Sequence, residues 1–365
     1  VPMLSARTIL VLVSFIFCHS AIGNVNCDKE NVLLKTQSQI DSFQLDYGIC
    51  DTLLGSLTVR ESVDNEIKDL LGINGLKVIK GSLVIESNNE LKSLQGLESL
   101  ITIGSNLIIS SNSKLSDINP LSNLARVSDT LLLNSNDALS SLKGIENLRQ
   151  LGKLQIRNND SLNEISTFPH LYGITELDIY NNDALSSVSA FENLVNVSGD
   201  VRIQDNRSLS NLTKLRTLSF IGGGLEINNN SSLSTLAGFE GVISILGNLK
   251  ISSNIQLDDC EALVLLLGWP HNTSQDSIGG SIEITGNKAG CSSSADVLAN
   301  SSYSGPVRYT THTSSCRAVA TSKSIALQNR ETGLTNTGNS PIDIICPLLR
   351  SPINYLLDSS HVLFD

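Results

Sequence analysis

The chain is short of positive charge. Its 25 Lys and Arg stand against 36 Asp and Glu, a formal net charge of -11 over 365 residues. Nucleic acid and anionic membranes need clustered cations to displace counterions, so nucleic acid is not expected as a partner and the acidic balance reads first as solubility. The seven cysteines include no Cys-x-x-Cys pair and no metal-ligand spacing, which argues against zinc and redox sites. Histidine is sparse too: His19, His170, His271, His312 and His361 lie far apart and suggest neither a catalytic triad nor a metal cluster. Gly222-Gly223-Gly224 is followed by no Lys-Ser/Thr and reads as a corner rather than a phosphate loop. No cofactor is expected. Nor is there a membrane-length apolar run in the mature chain, because the stretch Ile342 to Leu357 is broken by Pro347, Arg350 and Pro352.

What the sequence has is a repeat. Leu83, Leu107, Leu131, Leu154, Leu177, Val201, Leu225 and Leu249 each open a Leu-x-Ile-like triplet, at steps of 24, 24, 23, 23, 24, 24 and 24 residues. A period this constant is the signature of a solenoid, in which each copy buries its apolar face on its neighbours. Within the copy from Leu107, Leu107 and Ile109 alternate with Ile108, whereas Leu115, Ile118, Leu121, Leu124 and Val127 follow at threes. Alternation by two makes a strand; the advance by three suits short strands and extended turns, not a helix of period 3.6. Partial copies at Leu57 and Ile282 bring the expectation to an all-β, right-handed parallel β-helix, a leucine-rich-repeat-like solenoid of about ten rungs, about 45 to 50 Å long. Glycines at 81, 104, 152, 199, 223 and 247 precede strands where the chain must turn.

Five residues after each leading position stands an asparagine: Asn88, Asn112, Asn136, Asn159, Asn182, Asn206, Asn230 and Asn254. An amide carries donors and an acceptor, so stacked copies can satisfy a tight bend and one another. The nearby Asp137, Asp160 and Asp183 invite a metal reading, but the Gly-rich calcium nonapeptide is absent. The inward column also sorts the glycosylation tripeptides. Asn159, Asn206 and Asn230 should stay unmodified, while Asn196, Asn211, Asn229, Asn272 and Asn300 are expected to face water and accept glycans.

The ends differ from the array. Arg7 precedes an apolar run from Thr8 to Cys18, with small residues at Ala21-Ile22-Gly23, the pattern of a signal peptide over residues 1–23; a retained anchor is the alternative. Cys27, Cys50, Cys260, Cys291, Cys316 and Cys346 remain beyond it, an even number at the margins of the repeat, which suits an oxidising compartment. Cys260 and Cys291 occupy similar phases on successive rungs and could pair, leaving Cys316 with Cys346; Cys291 with Cys316 is the rival. Residues 317–365 read as a low-complexity tail after a solenoid over 24–316.

The strand residue between the two inward positions should face solvent. Down the stack it reads Val84, Ile108, Leu132, Gln155, Asp178, Arg202, Glu226, Lys250 and Glu283. Stacked Val84, Ile108 and Leu132 form a candidate partner patch, and the alternating charges beyond them fit cross-rung pairing.

Repeats such as Gly81-Ser-Leu-Val-Ile-Glu-Ser-Asn88 with Leu91, Leu94, Leu97 and Leu100 resemble the receptor L-domain, the leucine-rich β-helix of insulin and epidermal growth factor receptor ectodomains. The stretch from Cys27 through Gln37-Ser-Gln-Ile-Asp41 to Cys50-Asp-Thr-Leu-Leu-Gly-Ser-Leu-Thr-Val59 is similar to the start of fungal Ecm33 and Sps2-like cell-surface proteins. The resemblance covers roughly residues 27–316 and implies a Cys27–Cys50 bridge at the N-terminal cap. The chain departs from the group in having no furin-like module, kinase or terminal apolar block, so neither signalling nor wall anchoring carries over, and no ligand-contact motif matches. The expectation is a non-catalytic, secreted or cell-surface module that binds an extracellular protein or glycan through the solenoid surface. The alternatives are a carbohydrate-active β-helix enzyme and a soluble receptor-like ectodomain that sequesters a ligand.

Overall fold

The computed structural model describes residues 26–301, apart from 28–30, 63–65, 166–167 and 269–276, and three short strands further on. The expected signal peptide, Cys316, Cys346 and Asn272 lie outside the described residues.

The protein is an all-β parallel solenoid. Ten parallel pairings join eleven strands into one column, from Asn31–Leu34 through Ser56–Val59, Leu83–Glu86 and Leu107–Ser110 to Leu249–Ser252 and Ile282–Thr285. Adjacent strands lie about 4.8 Å apart, so the column runs about 48 Å. Leading residues stack in strict register: Leu83 on Leu107, Leu107 on Leu131, Leu225 on Leu249. The column begins one strand earlier than the leucine repeat reveals, because Asn31–Leu34 carries the same alternation, with Val32 and Leu34 inward, without the asparagine that follows later strands.

Behind the sheet, the residues spaced by three fill the interior. Leu91, Leu94, Leu97, Leu100 and Ile103 of one rung, and their counterparts up to Ile245, are almost wholly buried. The columns are apolar throughout but vary in volume, as where Val188 and Cys260 share the column of Leu94. Where the fourteenth position after the leading residue becomes aromatic, the rings stack across rungs: Phe168 and Phe191 lie 5.7 Å apart, centroid to centroid. A second column of two-residue strands closes the coil, and the longer Arg126–Asn134 and Gln150–Arg157 span both columns. The 23-residue step is absorbed between them, where Leu151 faces Val127 but Lys153 faces Thr130. One residue is lost at the corner and the inward register survives.

The corner glycines answer to crowding more than to backbone freedom. A Cβ on Gly104 would sit 2.0 Å from the Lys80 carbonyl oxygen of the rung beneath. Left-handed backbone appears instead at Ser87, Ser111, Ser135, Asn158, Asn181, Asp205, Asn229 and Ser253, with φ between 52° and 58°. All are short polar residues directly before a ladder asparagine. Asn and Asp are the side chains best suited to this conformation outside glycine, and they hold four of the eight positions, serine the other four.

Both ends are stapled. Cys27 pairs with Cys50 beside the helices Gln37–Asp41 and Phe43–Tyr47, and Cys260 pairs with Cys291 beside the helix Ser294–Ala299. Cys260 stands in the column that Leu94, Ile118 and Leu212 occupy on earlier rungs, so the bridge replaces a core contact at the last turn. With Cys291 bound there, its rival pairing with Cys316 does not form. At the same end, the Lys288 ammonium bonded to Asp258 holds that carboxyl below the usual range. Asp296 is likewise lowered by the Ser292 amide and hydroxyl and by the Gly290 amide. Val307–Tyr309, Ala318–Ala320 and Ile342–Ile344 pair as an antiparallel sheet. Two of these strands lie in what reads from the sequence as a featureless tail. The three-residue segments Ala318–Ala320 and Ile342–Ile344 are too brief to show a period.

Candidate interaction face

The asparagine column is wholly interior. From Asn88 to Asn254 every member is fully buried. The backbone N–H of Asn112 donates to Asn136 Oδ1 at 3.2 Å, and its side-chain amide donates to Ile85 O at 2.9 Å, Ser110 O at 3.0 Å and Asn136 Oδ1 at 3.2 Å. The pattern repeats rung by rung and runs on to Asn287, whose Oδ1 accepts from the Asn254 N–H at 3.0 Å. Each amide thus satisfies the backbone of two rungs at a bend where strand pairing ends. These side chains are saturated and unavailable to ligands. A second, outer amide chain accompanies them, Asn181 to Asn158 at 2.8 Å and Asn158 to Asn134 at 2.7 Å. In the sequence it shows only as an asparagine one or two residues before the ladder member, in Asn134-Ser-Asn136, Asn158-Asn159 and Asn181-Asn182. Asp137, Asp160 and Asp183 sit beside the ladder, Asp183 paired with Arg207 at 3.3 Å. Among the described residues no three His, Cys, Asp or Glu side chains converge as metal ligands.

The glycosylation tripeptides separate by position. Asn159, Asn206 and Asn230 are ladder members at zero exposure. Asn229 and Asn300 are exposed, and Asn211 is half-buried. Asn196 departs from the expectation of facing water. It lies in the strand Asn196–Val197, paired on both sides, half-buried with its Oδ1 enclosed and without a hydrogen bond.

The outward face of the main sheet divides in two. In its N-terminal part Leu33, Thr58, Val84, Ile108 and Leu132 stand in one row, each in register with the next. Leu33 is 42% exposed; Val84, Ile108 and Leu132 are half-buried. The patch is therefore less protruding than alternation alone suggests, and Leu33 extends it, which the later-starting repeat conceals. The other part is charged. Lys250 faces Glu226 at 3.9 Å and Glu283 at 3.8 Å, and Arg202 donates to Glu176 at 3.0 Å and also to Asp200. Asp178 is a correction to the solvent-facing row: it is 5% exposed, because the Arg157 guanidinium closes over its carboxylate. His170, the one histidine among the described residues, is half-buried in a turn of a different face.

No protein-family model matches the chain, and a search of curated proteins finds no match. No helix among the described residues is long and apolar enough to cross a membrane.

Proposed function

We propose that the protein is a non-catalytic extracellular recognition or structural module, with the outward face of its main sheet as the binding surface, in the manner of the receptor L-domains that its repeats resemble. The observation that carries this reading is the stacked apolar row Leu33, Val84, Ile108 and Leu132 on an otherwise polar, ion-paired sheet. A repetitive solenoid offers a broad surface whose backbone is already satisfied. Apolar side chains placed on such a surface lower solubility unless a partner covers them. Two disulfides at the solenoid ends are compatible with an oxidising, extracellular setting.

The test is capture of partners from native extracellular material on immobilised protein, alongside a variant carrying Val84→Asp, Ile108→Asp and Leu132→Asp. Completing the burial of three half-buried aliphatic side chains contributes roughly 2 to 3 kcal/mol, so the triple variant should lose about 100-fold in affinity while retaining the wild-type circular dichroism. Unchanged capture would remove the apolar row from the account.

A further inference from the structure

We infer that the charged half of the same face holds a subsite for a neutral oligosaccharide, at a depression floored by glycine. The inference rests on the reading of the protein as a recognition module but uses a different part of the sheet from the apolar row. Directly before the leading strand residue, successive rungs carry Ser82, Asn106, Thr130, Lys153, Glu176 and Asp200, and then Gly224, followed by Asn248 and Ser281. Gly224 breaks a column of side chains. With Gly223 and Gly247 beside it, the break leaves a shallow depression of about 400 Å³, open to solvent and rimmed by Asp200, Arg202, Glu226, Asn248 and Lys250.

The hollow is built, not merely vacant. Asp200 Oδ1 accepts the Gly224 N–H at 2.6 Å, which draws the carboxylate to its edge, and Asp200 also receives Arg202. Arg202 is fixed from the other side by Glu176 at 3.0 Å. On the next rungs Glu226 Oε1 accepts from Asn228 at 2.6 Å and Asn248 Oδ1 accepts from the Ser281 N–H at 2.9 Å. These bonds orient the rim yet leave polar atoms over. Among the described residues Glu226 Oε2 and Asn248 Nδ2 make no hydrogen bond, and the Lys250 ammonium has two ion-pair neighbours at 3.8 and 3.9 Å, beyond hydrogen-bond distance.

The chemistry selects the ligand class. Two cations and two anions line the rim, so neither a phosphate nor a metal ion is favoured. Leu225 is wholly buried, so the floor presents glycine backbone and no apolar side chain, and an apolar ligand gains nothing there. A ligand that offers hydroxyls, each able both to donate and to accept, fits an alternation of carboxylate, amide and ammonium. The rungs repeat at about 4.8 Å, close to the spacing of hexopyranose units in an extended chain. A glycan seated at the hollow and lying along the solenoid axis therefore reaches the neighbouring rungs, where it meets Glu176 and Asp200 on one side and Asn248 and Ser281 on the other.

The experiment titrates the full chain with linear neutral oligosaccharides of glucose, mannose and N-acetylglucosamine, read by saturation-transfer NMR and calorimetry. At least one class should bind with a dissociation constant on the order of 1 mM or tighter. Gly224→Asn, which restores a residue type the column carries at Asn106 and Asn248, should weaken binding at least 10-fold, as should Glu226→Gln. The second variant keeps the test valid if the first disturbs the corner. The Val84, Ile108 and Leu132 triple variant should bind the sugar as wild type does. Absence of binding by all three sugar classes, or binding indifferent to both Gly224→Asn and Glu226→Gln, would overturn the subsite. So would preference for an anionic oligosaccharide. If the sugar fails while the apolar variant still loses its captured partner, the subsite falls and the recognition reading stands.

Discussion

At the scale of single residues, the protein depends on amides that never meet solvent. Asn182 donates to Ile156 O, Tyr180 O and Asn206 Oδ1 at 3.0 to 3.2 Å and accepts from the Asn159 N–H at 3.1 Å. Asn182→Ala leaves several buried backbone groups unpaired, at about 1 to 3 kcal/mol for each. A loss of about 3 kcal/mol or more is expected from urea unfolding, against about 0.5 kcal/mol for a surface control such as Asp160→Ala. The same burial predicts glycan occupancy: Asn229 should be modified and its neighbour Asn230 not, although both head a valid tripeptide. Mass-spectrometric site mapping that found Asn159, Asn206 or Asn230 heavily occupied would contradict the inward register. The left-handed position makes a third case. Ser111, at φ 56°, should tolerate Gly without loss of stability, whereas Ser111→Val should cost about 1 to 2 kcal/mol, because the two γ-methyl groups of a β-branched side chain crowd a backbone held at positive φ. Thermal melts of the two variants check the difference.

At the scale of elements, much of the coil was legible. The two-residue alternation marked the strands from Leu83 to Ile284, and the threefold spacing marked the interior, because both periods repeat with the same offsets eight times. The first strand of the column, Asn31–Leu34, stayed hidden since no glycine precedes it as Gly55 precedes Leu57, no asparagine follows it at the ladder offset, and two helices intervene before Ser56. Asp178 was placed outward by alternation, which is right for the backbone; its burial comes from Arg157 on the neighbouring rung, a contact that strand periodicity does not contain. The glycine-floored hollow was legible as a glycine cluster but not as a hollow, since its depth depends on Asp200 and Asn248 flanking Gly224 across rungs. The staples carry their own prediction. Cys260→Ser with Cys291→Ser opens a bridge with a sequence separation of 31 and should lower stability by about 3 to 4 kcal/mol, seen as an earlier denaturant midpoint. Acid acts at the same end. Asp258 and Asp296 have depressed folded-state values, so their contribution is present above the ordinary carboxylate pKa of 3.8 and is lost as pH falls below it. Exchange at Lys288 to Asn300 should accelerate in that window before the central rungs respond.

At the scale of the whole molecule, the solenoid is a rigid rod whose one broad sheet is apolar near the N-terminal end and ion-paired toward the other. Its interior is closed by the ladder and the leucine columns, and its ends by two bridges, so the outward rows are the side chains left free to meet a partner. In the proposed function this sheet face, and not the turns or the second column of strands, meets the partner. Carbene footprinting of the protein with and without its captured partner measures this directly, because labelling reports side-chain exposure residue by residue. Binding through this face should reduce labelling of Leu33, Val84, Ile108 and Leu132 and leave Ile101, Tyr172 and Leu246 on the other faces unchanged. Protection of Ile101, Tyr172 or Leu246, with the outward row labelled as in the free protein, would contradict it.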